Sequence, residues 1–350
     1  MSLVSDMNTV ILGLALAAGI SMAQRPDGIY AEIKTSKGLI VARLEADLTP
    51  MTVANFVGLA EGTIANAAFD PGRPFFDGTV YHRVVPGHVI QTGVPQSDRA
   101  KGPGYMFPNE IHAKLGHNHA GALNMANGGP NTNASQFCIM LGDRSYLDGD
   151  YTVFGEVVQG LDVVMKIVQG DVVESVRIVR VGAKAQAFHP TTESFRAMVS
   201  AAEDRVKENV EKKRIAEQEW VAAHYPKTSA PGGPGGATQL RYRGTEVRYV
   251  GDVIGREGPP IQPVVFGSGE DGVPGFVDSP QAFPVGTKIN AGFDAGVGGM
   301  APGERRVIVV PASMGYGRAG HYTPEVPGKR RFVVSPNAML VYEVEALGER

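Results

Sequence analysis

Reactive side chains are scarce in this chain of 350 residues. The single cysteine, Cys138, sits in the apolar run Phe137-Cys138-Ile139-Met140-Leu141. That setting predicts a buried, inert thiol and not a nucleophile. One cysteine also excludes an intrachain disulfide framework and any multi-cysteine zinc or iron–sulfur site. His112, His117 and His119 are close in sequence. With no Cys, Asp or Glu at ligand spacing beside them, they read as loop and core histidines, and no metal is expected. Gly267-Ser268-Gly269-Glu270-Asp271-Gly272 has the spacing of a dinucleotide loop. Pro274 and Gly275 follow at once, no helix can open there, and no strand–helix–strand unit surrounds it, so no cofactor is expected. Asn133-Ala134-Ser135 satisfies a glycosylation sequon, but inside what reads as a structured core motif.

Longer patterns carry more. One is Tyr81-His82-Arg83-Val84-Val85-Pro86-Gly87-His88-Val89-Ile90-Gln91-Thr92-Gly93. A second runs Gly121-Ala122-Leu123-Asn124-Met125-Ala126-Asn127-Gly128-Gly129-Pro130-Asn131-Thr132-Asn133-Ala134-Ser135-Gln136-Phe137, and a third is Tyr146-Leu147-Asp148-Gly149-Asp150-Tyr151-Thr152-Val153-Phe154-Gly155. Together they resemble the cyclophilin family of peptidyl-prolyl cis-trans isomerases across residues 28–183. The resemblance implies a mainly β fold, a closed eight-stranded antiparallel barrel capped by two helices, with the active groove on its outer face. It makes Arg83 the catalytic arginine and Gln91 its neighbouring glutamine. Ala126 and Asn127 become the backbone wall that holds substrate, and Leu147 part of the proline pocket. Tyr146 stands where the family often has tryptophan, and Tyr151 where many members have histidine. Val89 and Gln136 join the expected substrate-binding set, as do His88 and Cys138. At those last two positions the family usually has phenylalanine, so a slower or altered isomerase is expected.

A second resemblance follows in the C-terminal part. Tyr249-Val250-Gly251, Phe266-Gly267-Ser268, Gly292-Phe293-Asp294-Ala295-Gly296-Val297, Gly315-Tyr316-Gly317 and Pro336-Asn337-Ala338-Met339-Leu340-Val341-Tyr342-Glu343-Val344 fall in the order of the FKBP family. That family implies an α+β domain, an antiparallel sheet around one helix with an aromatic pocket between them. Tyr249, Phe266, Phe293, Tyr316, Val334 and Tyr342 match its pocket positions. Phe293 replaces the usual tryptophan, and Gly267 stands where an acidic residue is usual.

Neither resemblance implies covalent chemistry. Rotation about an X–Pro bond must break amide resonance, a barrier of about 18–20 kcal/mol. A guanidinium can donate to the prolyl nitrogen only once the amide twists and that nitrogen regains its lone pair. The alternative reading is a non-catalytic chaperone or peptide-binding protein that uses degenerate isomerase pockets. Expected partners are proline-containing unfolded or nascent polypeptides.

The elements that must position these residues are legible in part. Ile29–Thr35 and Leu39–Glu45 alternate apolar and polar side chains across Ser36-Lys37-Gly38, the pattern of a hairpin. Thr49 as N-cap and Pro50 in the first turn predict a helix, closed by Gly62. From Thr191 to His224 there is no Gly or Pro, and charged residues dominate. Phe195, Val199, Ala202, Val206 and Val210 give that stretch a narrow apolar stripe, so a charged helix over 190–225 is expected, packed on a neighbouring domain. The Gly/Pro-rich segment 226–238 reads as a flexible linker, followed by the second domain, 239–350. With 33 basic and 36 acidic residues the net charge is −3, against a nucleic-acid binder. Val10–Ile20 holds no polar side chain and is shorter than the roughly 20 residues a membrane span needs. Small residues at Ser21 and Ala23 then predict a cleaved signal peptide over 1–23. An exported, periplasmic or extracellular monomer without stable membrane insertion is expected.

Overall fold

Alternation of side chains sets the first hairpin, in which β1 (Gly28–Thr35) pairs antiparallel with β2 (Gly38–Leu44). Ile29, Ala31, Ile33, Ile40, Ala42 and Leu44 turn to one buried core, as a period of two requires. A computed structural model describes residues 25–95, 102–227, 239–249, 253–256, 261–267, 283–284, 289–317, 320–322, 332–334 and 337–347. The expected leader and residues 228–238 of the expected linker lie outside the described residues.

Six further strands extend the hairpin: β3 (Arg83–Val85), β4 (Val89–Thr92), β5 (Ala122–Met125), β6 (Phe137–Met140), β7 (Val153–Gln159) and β8 (Val173–Val181). They form one eight-stranded sheet in the order β3-β4-β6-β5-β7-β2-β1-β8, with antiparallel pairing throughout. The resemblance implies a closed barrel, but β3 and β8 do not pair along their lengths. β3 is only three residues long and runs into Pro86, which has no N–H to offer a neighbour. The two ends meet one step earlier instead. Val80 bridges Val172, and Val173 N donates to Thr79 O at 2.8 Å while Tyr81 N donates to Asp171 O at 2.9 Å.

Helix α1 (Pro50–Glu61) lies against the concave side and is buried along ten of its residues. Its Phe56 ring stacks on Phe76 at 5.1 Å and meets Phe137 edge-on at 5.2 Å. Thr49 does not cap this helix; its Oγ1 donates back to Glu45 O. The free N–H groups of Met51 and Thr52 are met by the Glu110 carboxylate, at 3.2 and 2.8 Å, from 59 and 58 residues away. Gly62 closes the helix in the left-handed region, φ 73°. Short helices α2 (Leu161–Val164) and α3 (Ala183–Gln186) flank β8.

Helix α4 (Thr192–His224) opens with a reciprocal capping box between Thr191 and Ser194. Phe195, Val199 and Ala202 pack into the first core, whereas Val210, at the end of the expected stripe, is 62% exposed. The C-terminal half does something the stripe did not foretell. Ala216, Trp220 and Val221, followed by Tyr225, pack on Val247, Ile261 and Val341 of a second sheet. That sheet contains β9 (Gln239–Tyr249), β10 (Ile261–Gly267), β11 (Phe283–Pro284) and β12 (Arg305–Val310). Two-residue β13 (His321–Tyr322) pairs β14 (Phe332–Val334) apart from it, and β15 (Met339–Leu347) completes it in the order β10-β9-β15-β12, with β11 on β9. Helix α5 (Ala291–Val297) crosses its other face. Gly292 and Gly296 permit that approach, since a Cβ at either would come within 2.4 Å of Val310 or Ile308.

Candidate active site

Strand β6 is apolar on both faces, and its side chains and those of Val89 and Ile90 in β4 divide between two cores. Ile90, Phe137 and Ile139 join the main core. Val89, Cys138 and Met140 turn outward and form a small buried cluster with Ala122, flanked by partly buried Val85, Ala126 and Leu147. Register then builds a polar row beside this hollow. Arg83 lies opposite Gln91, Gln91 opposite Cys138, and Cys138 opposite Asn124, across four strands. The neighbouring row is Val85, Val89 and Met140. A guanidinium at the end of one row therefore faces along the rim of an apolar patch.

Hydrogen bonds hold that guanidinium. Arg83 Nη1 donates to Gln91 Oε1 at 3.3 Å, and Gln91 Nε2 donates to Gln136 Oε1 at 2.8 Å. No carboxylate among the described residues pairs with Arg83. Its charge reaches Cys138 nonetheless. Burial pushes that thiol up to about 12, and Arg83 offsets only part of the rise. His88 is half-buried at the β3–β4 turn, where its Nδ1 accepts from Arg144 Nε at 2.7 Å.

The far wall comes from two loops. Ala126 N donates to Gln136 O at 2.9 Å, and Asn127 Nδ2 donates to Asp150 O at 3.0 Å. Leu147 ends a 3-10 turn, Ser145–Leu147, which also carries Tyr146. His117, wholly buried, clamps this loop from behind. Its backbone N–H and its Nδ1 both meet Asp148 Oδ1, at 2.8 and 2.7 Å, and its carbonyl accepts from Arg144 N at 2.6 Å. Tyr151 presents its ring edge-on to the same imidazole at 6.5 Å. The structure thus brings together Arg83, Gln91, Val89, Ala126, Gln136, Cys138 and Leu147, with His88, Asn127, Tyr146 and Tyr151 on the surrounding loops. Sequence reasoning missed Asn124, Met140 and the His117 clamp. The unbroken apolar run of β6 was the available signal for Met140, because a strand apolar on both faces must be covered on both. Among the described residues no three His, Cys, Asp or Glu side chains converge as metal ligands.

In the second module Phe293, Val334 and Tyr342 are buried together in one core with partly buried Tyr316. Phe293 and Tyr342 meet edge-on at 4.8 Å, and Asn290 Nδ2 donates to Tyr342 Oη at 2.8 Å. Tyr242, unanticipated, completes the aromatic group 5.2 Å from Phe293; burial raises its hydroxyl to about 12. Tyr249 and Phe266 fall in β9 and β10; their side chains lie outside the described part of the structure.

The site is thus an arginine on a curled antiparallel sheet, set beside an outward apolar hollow. Residues 30–183 match the family model described as cyclophilin type peptidyl-prolyl cis-trans isomerase/CLD, and residues 257–347 match FKBP-type peptidyl-prolyl cis-trans isomerase. The probable peptidyl-prolyl cis-trans isomerase A of Mycobacterium leprae is 46% identical over 131 residues, 36% of this chain and 72% of that protein. Peptidyl-prolyl cis-trans isomerase B of Streptomyces anulatus is 43% identical over 37% of this chain and 76% of its own length. The isomerase ppi1 of Schizosaccharomyces pombe is 43% identical over 38% and 80%. The chain belongs to the cyclophilin-type peptidyl-prolyl cis-trans isomerases, and it carries a second, FKBP-type region behind the first.

Proposed function

We propose that Arg83 is the catalytic group of the first module, and that the hollow of Val89, Cys138, Met140 and Leu147 seats the proline ring. The observation that carries this is the cross-strand row, which sets the guanidinium at the edge of the only outward-facing apolar cluster described on that stretch of sheet. Arg83 hydrogen-bonds the prolyl nitrogen once the amide twists, an interaction a planar amide cannot accept, so it favours the transition state over both ground states. Gln91 fixes the guanidinium, and Gln136 fixes Gln91. Ala126 and Asn127 present backbone to the substrate, Tyr146 and Tyr151 frame it, and His88 closes the near end. Exclusion of water by the apolar wall adds to the loss of amide resonance.

The finer fold reading is a barrel closed through the Val80–Val172 bridge, with an FKBP-like pocket in the second module formed around Phe293, Tyr316, Val334 and Tyr342, together with Tyr249 and Phe266. The clients are exported proteins whose X–Pro bonds isomerise over tens to hundreds of seconds unaided. The leader-like run Val10–Ile20 and the small residues at Ser21 and Ala23 support a periplasmic or extracellular setting. Cys138, smaller than the phenylalanine usual there, favours a second reading in which the groove binds peptides without turning them over.

A protease-coupled assay on a short Ala-Pro peptide separates the two. Arg83→Ala in the full chain should lower kcat/KM about 100-fold or more, the loss typical of one preorganised donor. Equal rates for wild type, variant and buffer would remove catalysis from this groove. Residual turnover in the variant reports the second module.

A further inference from the structure

His88 stands where the resemblance calls for phenylalanine, and Arg144 of the facing loop meets it. Arg144 Nε donates to His88 Nδ1 at 2.7 Å, and its Nη2 donates to Gly87 O in the same turn. The backbone of Arg144 is as engaged as its side chain. Its N–H donates to His117 O at 2.6 Å, and its carbonyl accepts from Leu147 N at 2.8 Å. One residue therefore ties together the β3–β4 turn, the loop that carries Tyr146 and Leu147, and the His117 clamp behind that loop. Leu141 N adds a backbone rung to His88 O at 2.9 Å.

The side-chain bond also fixes the state of the ring. A guanidinium has donors and no acceptor, so Nδ1 offers its lone pair and the neutral ring carries its proton on Nε2. A proton on Nδ1 would break the bond and set two cations against each other at that distance. The hairpin of His88 carries Arg83, preceded by His82, and β6 carries the protonated thiol of Cys138. Besides Arg144, the facing loop holds Asp143, Asp148 and Asp150. Asp143 Oδ1 accepts from Ser145 N and Oγ at 2.9 and 2.7 Å, and Asp148 Oδ1 meets His117. An unrestrained imidazole is charged half of the time near pH 6.5, and an ion beside an apolar hollow holds water where a proline ring must sit. Kept neutral and in one orientation, the ring can stand in for the missing phenylalanine.

We propose that Arg144 is a positioning residue for the isomerisation: it holds His88 as a neutral aromatic wall against the client's proline ring. The proposal rests on that ring being seated beside Arg83.

Turnover of an Ala-Pro tetrapeptide by the full chain is followed after a solvent jump, which needs no coupling protease and so reaches acid pH. The rate left in Arg83→Ala, which belongs to the second module, is subtracted at each pH. Wild-type kcat/KM should change less than about twofold between pH 8 and 5.5, because the imidazole stays neutral. Arg144→Ala should lose about tenfold over the same interval, the titration of an ordinary imidazole near 6.5. Arg144→Ala combined with His88→Phe should be flat again and recover the loss at pH 5.5. In the wild type, 15N resonances of His88, assigned by their absence from His88→Phe, should show one bare and one protonated nitrogen down to pH 5.5. That spectrum decides the matter even where Arg144→Ala does not fold. Imidazolium signals from His88 at pH 5.5 overturn the proposal, as does an Arg144→Ala profile as flat as the wild type. A loss that His88→Phe does not repair overturns it too, leaving Arg144 a structural brace. If Arg83→Ala matches the wild type at every pH, the Arg83 assignment fails instead.

Discussion

Arg83 and Cys138 share one row of the outer sheet face, and their coupling can be read chemically. Burial raises the thiol to about 12, while Arg83 pulls it down. Between pH 7 and 9 the thiol therefore stays protonated, and its thiolate fraction rises tenfold per pH unit without levelling. Alkylation of the native protein at pH 8 should be at least about 100-fold slower than that of a free cysteine, and unfolding in urea should abolish the difference. Arg83→Ala should slow it further, because the one stabilising charge is gone. A native rate close to that of free cysteine would mean that Cys138 does not form the wall of the hollow. Most of these residues were legible in the sequence, since Arg83, Gln91, Ala126 and Leu147 lie inside long uninterrupted motifs. His117 was visible only as a core histidine. Its grip on Asp148 spans 31 residues, and no local pattern encodes a contact of that range.

At the level of elements, the clearest difference between expectation and structure is the start of α1. Thr49 and Pro50 gave the right starting point, but the capping acceptor is Glu110, supplied from a distant loop. Burial raises the Glu110 carboxyl, and hydrogen bonds from Thr52 and Met51 and the charge of Arg205 oppose the rise. A carboxyl raised in the folded state is a group whose ionisation opposes folding. Its contribution is most favourable below its unfolded value and is lost as pH climbs through the folded one. At pH 7 Glu110→Ala should destabilise the protein by about 1–3 kcal/mol by leaving two backbone donors unmet. Glu110→Gln should cost less, since it keeps an acceptor and removes the buried charge; denaturant titrations of both variants measure the order. If Gln costs as much as Ala, the carboxylate charge and not the acceptor does the capping. Helix α4 shows a related limit. Its charge and lack of glycine predicted a helix, but the stripe ending at Val210 located only the first of its two docking faces. Ala216, Trp220 and Val221 are too few and too widely spaced to stand out in a charged sequence.

For the whole molecule, the two modules differ in how much apolar surface they bury. The first core gathers α1, eight strands and the start of α4, and the second rests on fewer elements. Trp220, the only tryptophan, stacks on His224 at 4.3 Å and packs against the second sheet. In urea its fluorescence should therefore change before the main loss of far-UV circular dichroism, reporting release of the smaller module. Superimposable curves would instead make the chain a single cooperative unit. Because α4 contributes side chains to both cores, scissors applied at the glycine-rich stretch would leave each fragment with an adhesive scar. The front piece would keep Trp220 and Val221 bare, and the rear piece would lose the cover from Val247 and Val341. An incision ahead of Thr191 moves the wound and does not heal it, because the front fragment then loses Phe195, Val199 and Ala202 from its own core.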